Sequence, residues 1–125
     1  MLCLFLLNLK VMEIKNIIIE KARRLKLAEI IEIEPHSIII KTVVKKATGN
    51  ITLVSIDQGA ALVDEIIPFD SFAIIIEGKA EIIIDGESQL VESGDAIIFP
   101  AHKPKIIKAK EPLKLILTII KSGYE

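Results

Sequence analysis

From residue 37 onward the chain is built of short apolar runs separated by turn residues, and few folds accept that pattern. The runs are SIIIKTVV (37–44), NITLVSID (50–57), SFAIIIEG (71–78), KAEIIIDG (79–86), ESQLVE (87–92), DAIIFP (95–100), PKIIKA (104–109) and PLKLILTIIK (112–121). Gly49, Gly59, Gly78, Gly86 and Gly94 punctuate them, and Asp85-Gly86 is a strong hairpin signal. Regular short strands of this kind predict a sandwich or barrel. Apolar residues make up 51% of the chain but aromatics only 4%, so isoleucine must supply most of the core. Its β-branched side chain favours strands. At 125 residues the chain has room for one domain and one core.

The segment before the strands reads differently. NIIIEKARRLKLAEII (16–31) places Ile17, Ala22, Leu25 and Ile30 near one helical face, with Asn16 as a candidate N-cap. We therefore expect an N-terminal extension with a helix over 1–36 and a barrel over 37–125. The opening MLCLFLLNLKVMEI has no basic residue ahead of its apolar run, is too short to span a membrane and lacks a small-residue cleavage site. Two readings fit it: Met12 is the natural start and residues 1–11 an extension, or the run is an edge strand that pairs with a second subunit.

Charge and cysteine content narrow the partners. Sixteen basic residues face 17 acidic ones, and no basic stripe is interleaved with aromatics, so nucleic acid is not an expected partner. KARRLK (21–26) reads as a solvated face. Cys3 alone forms no internal disulfide or CxxC site, which suits a reducing, cytoplasmic compartment. The Ile, Lys and Glu enrichment resembles that of heat-adapted proteins, although an AT-rich genome gives the same skew.

Ile74 to Ile76 and Ile82 to Ile84 are consecutive where a strand with one wet face would alternate. Both faces therefore need cover. A second subunit over the outer face predicts a homodimer; the alternative is that the N-terminal helix and the segment before it do the covering.

From about residue 38 the sequence resembles the cupin superfamily, small antiparallel jelly-roll barrels. GDAIIFPAHKPK (94–105) echoes the second cupin motif through Gly94, Asp95, Pro100 and Pro104, and the first motif ends correctly at Gly78. The motif's metal ligands do not carry over. Its glutamate falls on Ser71, its two histidines on Glu65 and Ile67 (Asp64 and Ile66 with the longer spacer), and the second-motif histidine on Lys105. EIIPFDS, PKIIKA and LKLILTIIK further resemble a subset of small cupins whose two histidines correspond to Glu65 and Lys105. The resemblance implies a mainly β barrel whose interior is lined by Glu65, Ile67, Ser71, Ala73, Lys105 and Ile107, with His102 near the mouth.

At such a site Glu65 and Lys105 would form a partly buried ion pair in place of the histidines, or else lie solvated at the rim. Metal is not expected, because His36 and His102 are isolated loop histidines; His102 with Glu65 or Asp70 is the one makeshift alternative. Asp70 reads instead as a strand-start residue whose carboxylate caps backbone amides. No Ser/His/Asp or Cys/His set is present, and the glycines sit in hairpins rather than a phosphate-cradling loop. Two functions remain: a non-catalytic or small-molecule-binding barrel with a degenerate metal site and no cofactor, or a metal-independent lyase or isomerase using Glu65 and Lys105 as an acid/base pair.

Overall fold

In the computed structural model ten strands form two sheets that face each other across an aliphatic core; residues 11–16, 19–64 and 66–121 are described. The strands are β1 (Val11–Asn16), β2 (Ser37–Lys46), β3 (Gly49–Ile56), β4 (Ala61–Asp64), β5 (Ser71–Glu77), β6 (Lys79–Ile84), β7 (Glu87–Glu92), β8 (Ala96–Phe99), β9 (Lys105–Ala109) and β10 (Leu113–Ile120). One sheet runs β1-β2-β3-β10-β5-β8 and the other β4-β9-β6-β7. All pairings are antiparallel except β1 with β2. No hydrogen-bonded ladder joins β7 to β8, so the sheets form an open jelly roll with a gap between these two strands.

The turns follow from the residues that make them. Asp85 and Gly86 both take positive φ (50° and 85°), the geometry of the tight turn whose twist matches the flanking strands. Gly78 has φ 93°, and a Cβ there would lie 2.1 Å from the Pro112 carbonyl oxygen, so no other residue fits between β5 and β6. At the turn into β8, Asp95 accepts the Glu92 amide on Oδ2 (2.9 Å) while Gly94 N–H donates to the Ile75 carbonyl (2.9 Å). Strand alternation then decides which side chains enter the core: Ile38, Val54, Ile56, Ile75, Ile82, Ile107, Leu113 and Leu115 are essentially inaccessible. Burying each such side chain contributes roughly 1.5–3 kcal/mol.

The N-terminal region departs from the expected helix. Asn16 ends β1 rather than capping a helix, Ala22 sits at φ 64° in a turn, Leu25 is exposed, and the only helix of the described residues is a single turn, α1 (Leu27–Ile30). Ile17 and residues 1–10, including Cys3, lie outside the described residues. The larger sheet explains the change: Asn16 is taken into the β1–β2 ladder, and the Ala28, Ile30 and Glu32 carbonyls accept side-chain donors of the sheet, which overrides a weak helical periodicity. Residues 11–16 pair with β2 of their own chain, and the apolar run ahead of them lies outside the described residues. The KARRLK segment is an exposed turn and coil, as befits a solvated stretch.

α1 and Ile31 lie across the outer face of the larger sheet. Leu27, Ile30 and Ile31 pack on Ile39, Leu53, Ile76 and Ile116 in a second, smaller core. Three polar side chains of that sheet face hold the strap by alternate carbonyls: Lys114 Nζ donates to Ala28 O (2.6 Å), Lys41 Nζ to Ile30 O (2.7 Å) and Ser55 Oγ to Glu32 O (2.8 Å). Lys41 also pairs with Glu32 (3.2 Å). The strap covers β2, β3, β10 and the Ile76 end of β5. Toward the β5 and β8 edge, Phe72, Ile74 and Ile98 remain exposed.

Candidate functional site

The interior is aliphatic except at one end. There, β5 and β8 pair Ser71 with Phe99, and β6 and β9 pair Ile84 with Lys105, each couple projecting inward from its own sheet. Lys105 is 5% exposed and Ser71 4%. The two sheets meet at Phe99, whose ring centroid lies 4.9 Å from Lys105 Nζ. A cation at that distance gains about 0.5–2 kcal/mol from the ring quadrupole. Lys105 also engages a further group, so it is not an isolated buried charge.

Ser71 is different. Its Oγ is buried with no hydrogen-bond partner among the described residues, one of two such side-chain atoms; the other is Asn50 Oδ1. An orphaned hydroxyl in an apolar interior costs about 1–3 kcal/mol. Such a group persists at a site that something else satisfies, or as a strain reservoir.

Two loops close this end. The Asp70 carboxylate accepts the Ala101 amide (2.7 Å), as expected of a residue that caps backbone, and the His102 amide donates to Ile67 O (2.8 Å). Asp85 N–H donates to Pro104 O (3.0 Å), and Lys103 pairs with Asp85 (3.3 Å). Beside these loops, between β7 and β8, a cavity of about 330 Å³ is lined by Ile84, Asp85, Glu87, Gln89, Ile97, Ile98, Pro100 and Lys103. Ile97 faces inward in register with Ala73, and Ile84 with Lys105. Ser71, Phe99 and Lys105 do not line this cavity; they lie buried beyond Ile84 and Ile97.

The expected interior residues separate accordingly. Ser71, Ala73, Lys105 and Ile107 are buried and inward. Ile67 is half-buried ahead of β5, and His102 is exposed at a positive φ of 66°, outside the interior. Glu65, and with it any Glu65 to Lys105 pair, lies outside the described residues. Sequence reasoning missed Phe99, Ile84 and Ile97. The alternation counted back from Pro100 would have turned Ile97 and Phe99 inward together.

Among the described residues no group of three His, Cys, Asp or Glu side chains converges on a point. With the shorter spacer the described occupants of the motif's ligand positions are Ile67, Ser71 and Lys105; with the longer one Asp64, at the end of β4, and Ile66 take the place of the two histidines. A perturbed carboxylate lies elsewhere: Glu81, on the outer face of β6, is held below the usual glutamate range by the Ser88 hydroxyl (2.6 Å) and then by Lys110 and Lys108. No helix among the described residues is long and apolar enough to cross a membrane.

Solved structures similar to the chain include a conserved protein of unknown function from Streptococcus pyogenes, 32% identical over 85% of this chain and 93% of that one, with a TM-score of 0.79. A cupin superfamily protein from Desulfitobacterium hafniense is 24% identical over 82% of this chain and 94% of that one (TM-score 0.77). An RmlC-like cupin from Desulfovibrio desulfuricans is 19% identical over 79% and 96% (TM-score 0.70). No curated protein matches. The cupin domain profile matches residues 53–120, more than half of the chain, and with the open jelly roll and its Gly94, Asp95 and Pro100 turn it establishes that the chain belongs to the cupin family.

Proposed function

We propose that this cupin is a small-molecule-binding barrel in which the ligand sits at the polar end of the interior, among Ser71, Phe99 and Lys105. The observation that carries the reading is the buried Ser71 hydroxyl without a partner, set beside a buried ammonium in an otherwise aliphatic core. Ligand sites are mostly apolar with a few placed polar groups, and the neighbouring cavity of about 330 Å³ between β7 and β8 has Ile84, Ile97 and Pro100 on its walls. The reading assigns no reaction. Two copies associate through the uncovered part of the larger sheet, supported by the exposed stripe of Phe72, Ile74 and Ile98 beside the strap. A chain with one cysteine suits the reducing cytoplasm.

The test is native mass spectrometry of the gently purified protein against a denatured sample, with thermal shift across acids, amines and neutral compounds. A co-purified small molecule, or one class that raises the melting temperature, supports the reading. A protein that carries nothing and responds to no class overturns it. For the dimer, light scattering should give twice the chain mass in the parent and once in Phe72→Glu; a monomeric parent overturns that part.

A further inference from the structure

We propose that the cavity between β7 and β8 is a second site, separate from the polar end of the interior, which takes a small molecule bearing a primary ammonium on an aliphatic chain. Glu87 stands opposite Ile84 in the β6–β7 ladder, and Gln89 opposite Ile82. Both therefore occupy the strand face that, one strand away, turns isoleucine into the core, where Ile82 is fully buried. On β7 that face carries a carboxylate and a side-chain amide instead, and both line the cavity. Polar residues at positions patterned for a core mark either a functional site or protection of an open sheet edge.

The lining selects the ligand. Ile84, Ile97, Ile98 and Pro100 supply an apolar wall for the chain, and about 330 Å³ is the small end of the usual range for ligand sites, roughly 300–1,000 Å³. The charged lining residues are Asp85, Glu87 and Lys103. Asp85 and Lys103 are paired at 3.3 Å and cancel. The Glu87 carboxylate makes no ion pair among the described residues, so the cavity carries an uncompensated negative charge. An ammonium has three N–H donors to divide between the Glu87 carboxylate and the Gln89 amide oxygen, on residues about 7 Å apart along one strand face. An acid meets like charge there. A divalent cation such as calcium needs six or more oxygens, and a carboxylate with an amide falls short of that number.

The experiment is isothermal titration of the full chain at low salt with three probes of equal length, hexylamine, hexanamide and hexanoate. Hexylamine should bind about fivefold tighter than either other probe, and Glu87→Gln should remove that advantage, the worth of one partly solvated ion pair. Glu87 is exposed, so the variant keeps the core intact. Glu92→Gln is the control, an exposed carboxylate on the opposite face of the same strand, and it should leave the ratio of affinities unchanged. Ser71→Ala should leave hexylamine binding unchanged as well, because Ser71 does not line the cavity. Equal binding of the three probes, an advantage that survives Glu87→Gln, or one lost equally in Glu92→Gln overturns the proposal. No binding of any probe, with aggregation of Glu87→Gln, also overturns it and makes Glu87 a guard of the open edge. Hexylamine binding lost in Ser71→Ala overturns it by moving the amine to the interior; the other failures leave the interior site standing.

Discussion

Replacing Ser71 by alanine should make the ligand-free protein more stable, the opposite of what removing a buried hydrogen-bonding group usually does. Ser71 is 4% exposed and its Oγ has no partner among the described residues, so the folded state carries a desolvation cost that the unfolded state does not. That cost is about 1–3 kcal/mol. The missing oxygen leaves a void of roughly 10–15 Å³, which costs about 0.3 kcal/mol at the usual cavity slope. A net gain of about 1–2.5 kcal/mol follows. With unfolding entropy near 2.1 cal/mol/K per residue over 125 residues, each kcal/mol moves the melting temperature by about 4 °C, so the expected rise is about 4–10 °C. Ser55 is the control. It is equally buried, at 1% exposed, but its Oγ donates to Glu32 O (2.8 Å), and Ser55→Ala should lose about 1–2 kcal/mol by orphaning that carbonyl. Calorimetry on both variants, after dialysis and a mass-spectrometric check for bound molecules, reads the two signs directly. An unchanged or lowered melting temperature for Ser71→Ala would refute the reasoning, because it would mean the hydroxyl is satisfied in the free protein.

Three further substitutions probe the scaffold. Gly78→Ala forces a Cβ against the Pro112 carbonyl at a positive φ and should cost about 3 kcal/mol or more by denaturant titration; a loss under 1 kcal/mol would show that β5 and β6 can shift apart. Lys41→Met keeps the apolar stem but removes the bond to Ile30 O (2.7 Å), and should cost about 2 kcal/mol while speeding tryptic cleavage between Lys21 and Lys26; an unchanged cleavage rate would show that the strap holds without it. Glu81 has a folded pKa below its unfolded value, so the stability it contributes is present above the ordinary glutamate range, about pH 4.3, and is lost as pH falls through the lower folded value. The melting-temperature gap between parent and Glu81→Gln should therefore narrow in acid, and a gap constant from neutral pH to about pH 3 would contradict the assigned cause.

Local chemistry made most of the barrel legible. The Asp85 and Gly86 turn, the glycine between β5 and β6, and eight of the nine strands from Ser37 to Ile120 follow from residue types that tolerate few other backbones, and the limits of those eight fall within two residues of expectation. β4 escaped because ALVD is four residues long and borrows its order from β9. The site was legible only in outline. Inward alternation turns Ser71 and Lys105 into the interior, where both are buried, but nothing local says that the first finds no partner among the described residues or that the second lies over Phe99.

Sequence by itself determined the strands, the turns and which side chains face inward, because β-branched runs, glycines and two-residue alternation act within a few residues. Tertiary structure alone decided that residues 11–16 become a strand, that three sheet residues hold the strap by alternate carbonyls, and that Phe99 lies beside Ser71 and under Lys105. Each of those outcomes turns on backbone edges and polar atoms brought together from distant segments, and a donor or an open edge acquires its partner only when the sheets close on each other.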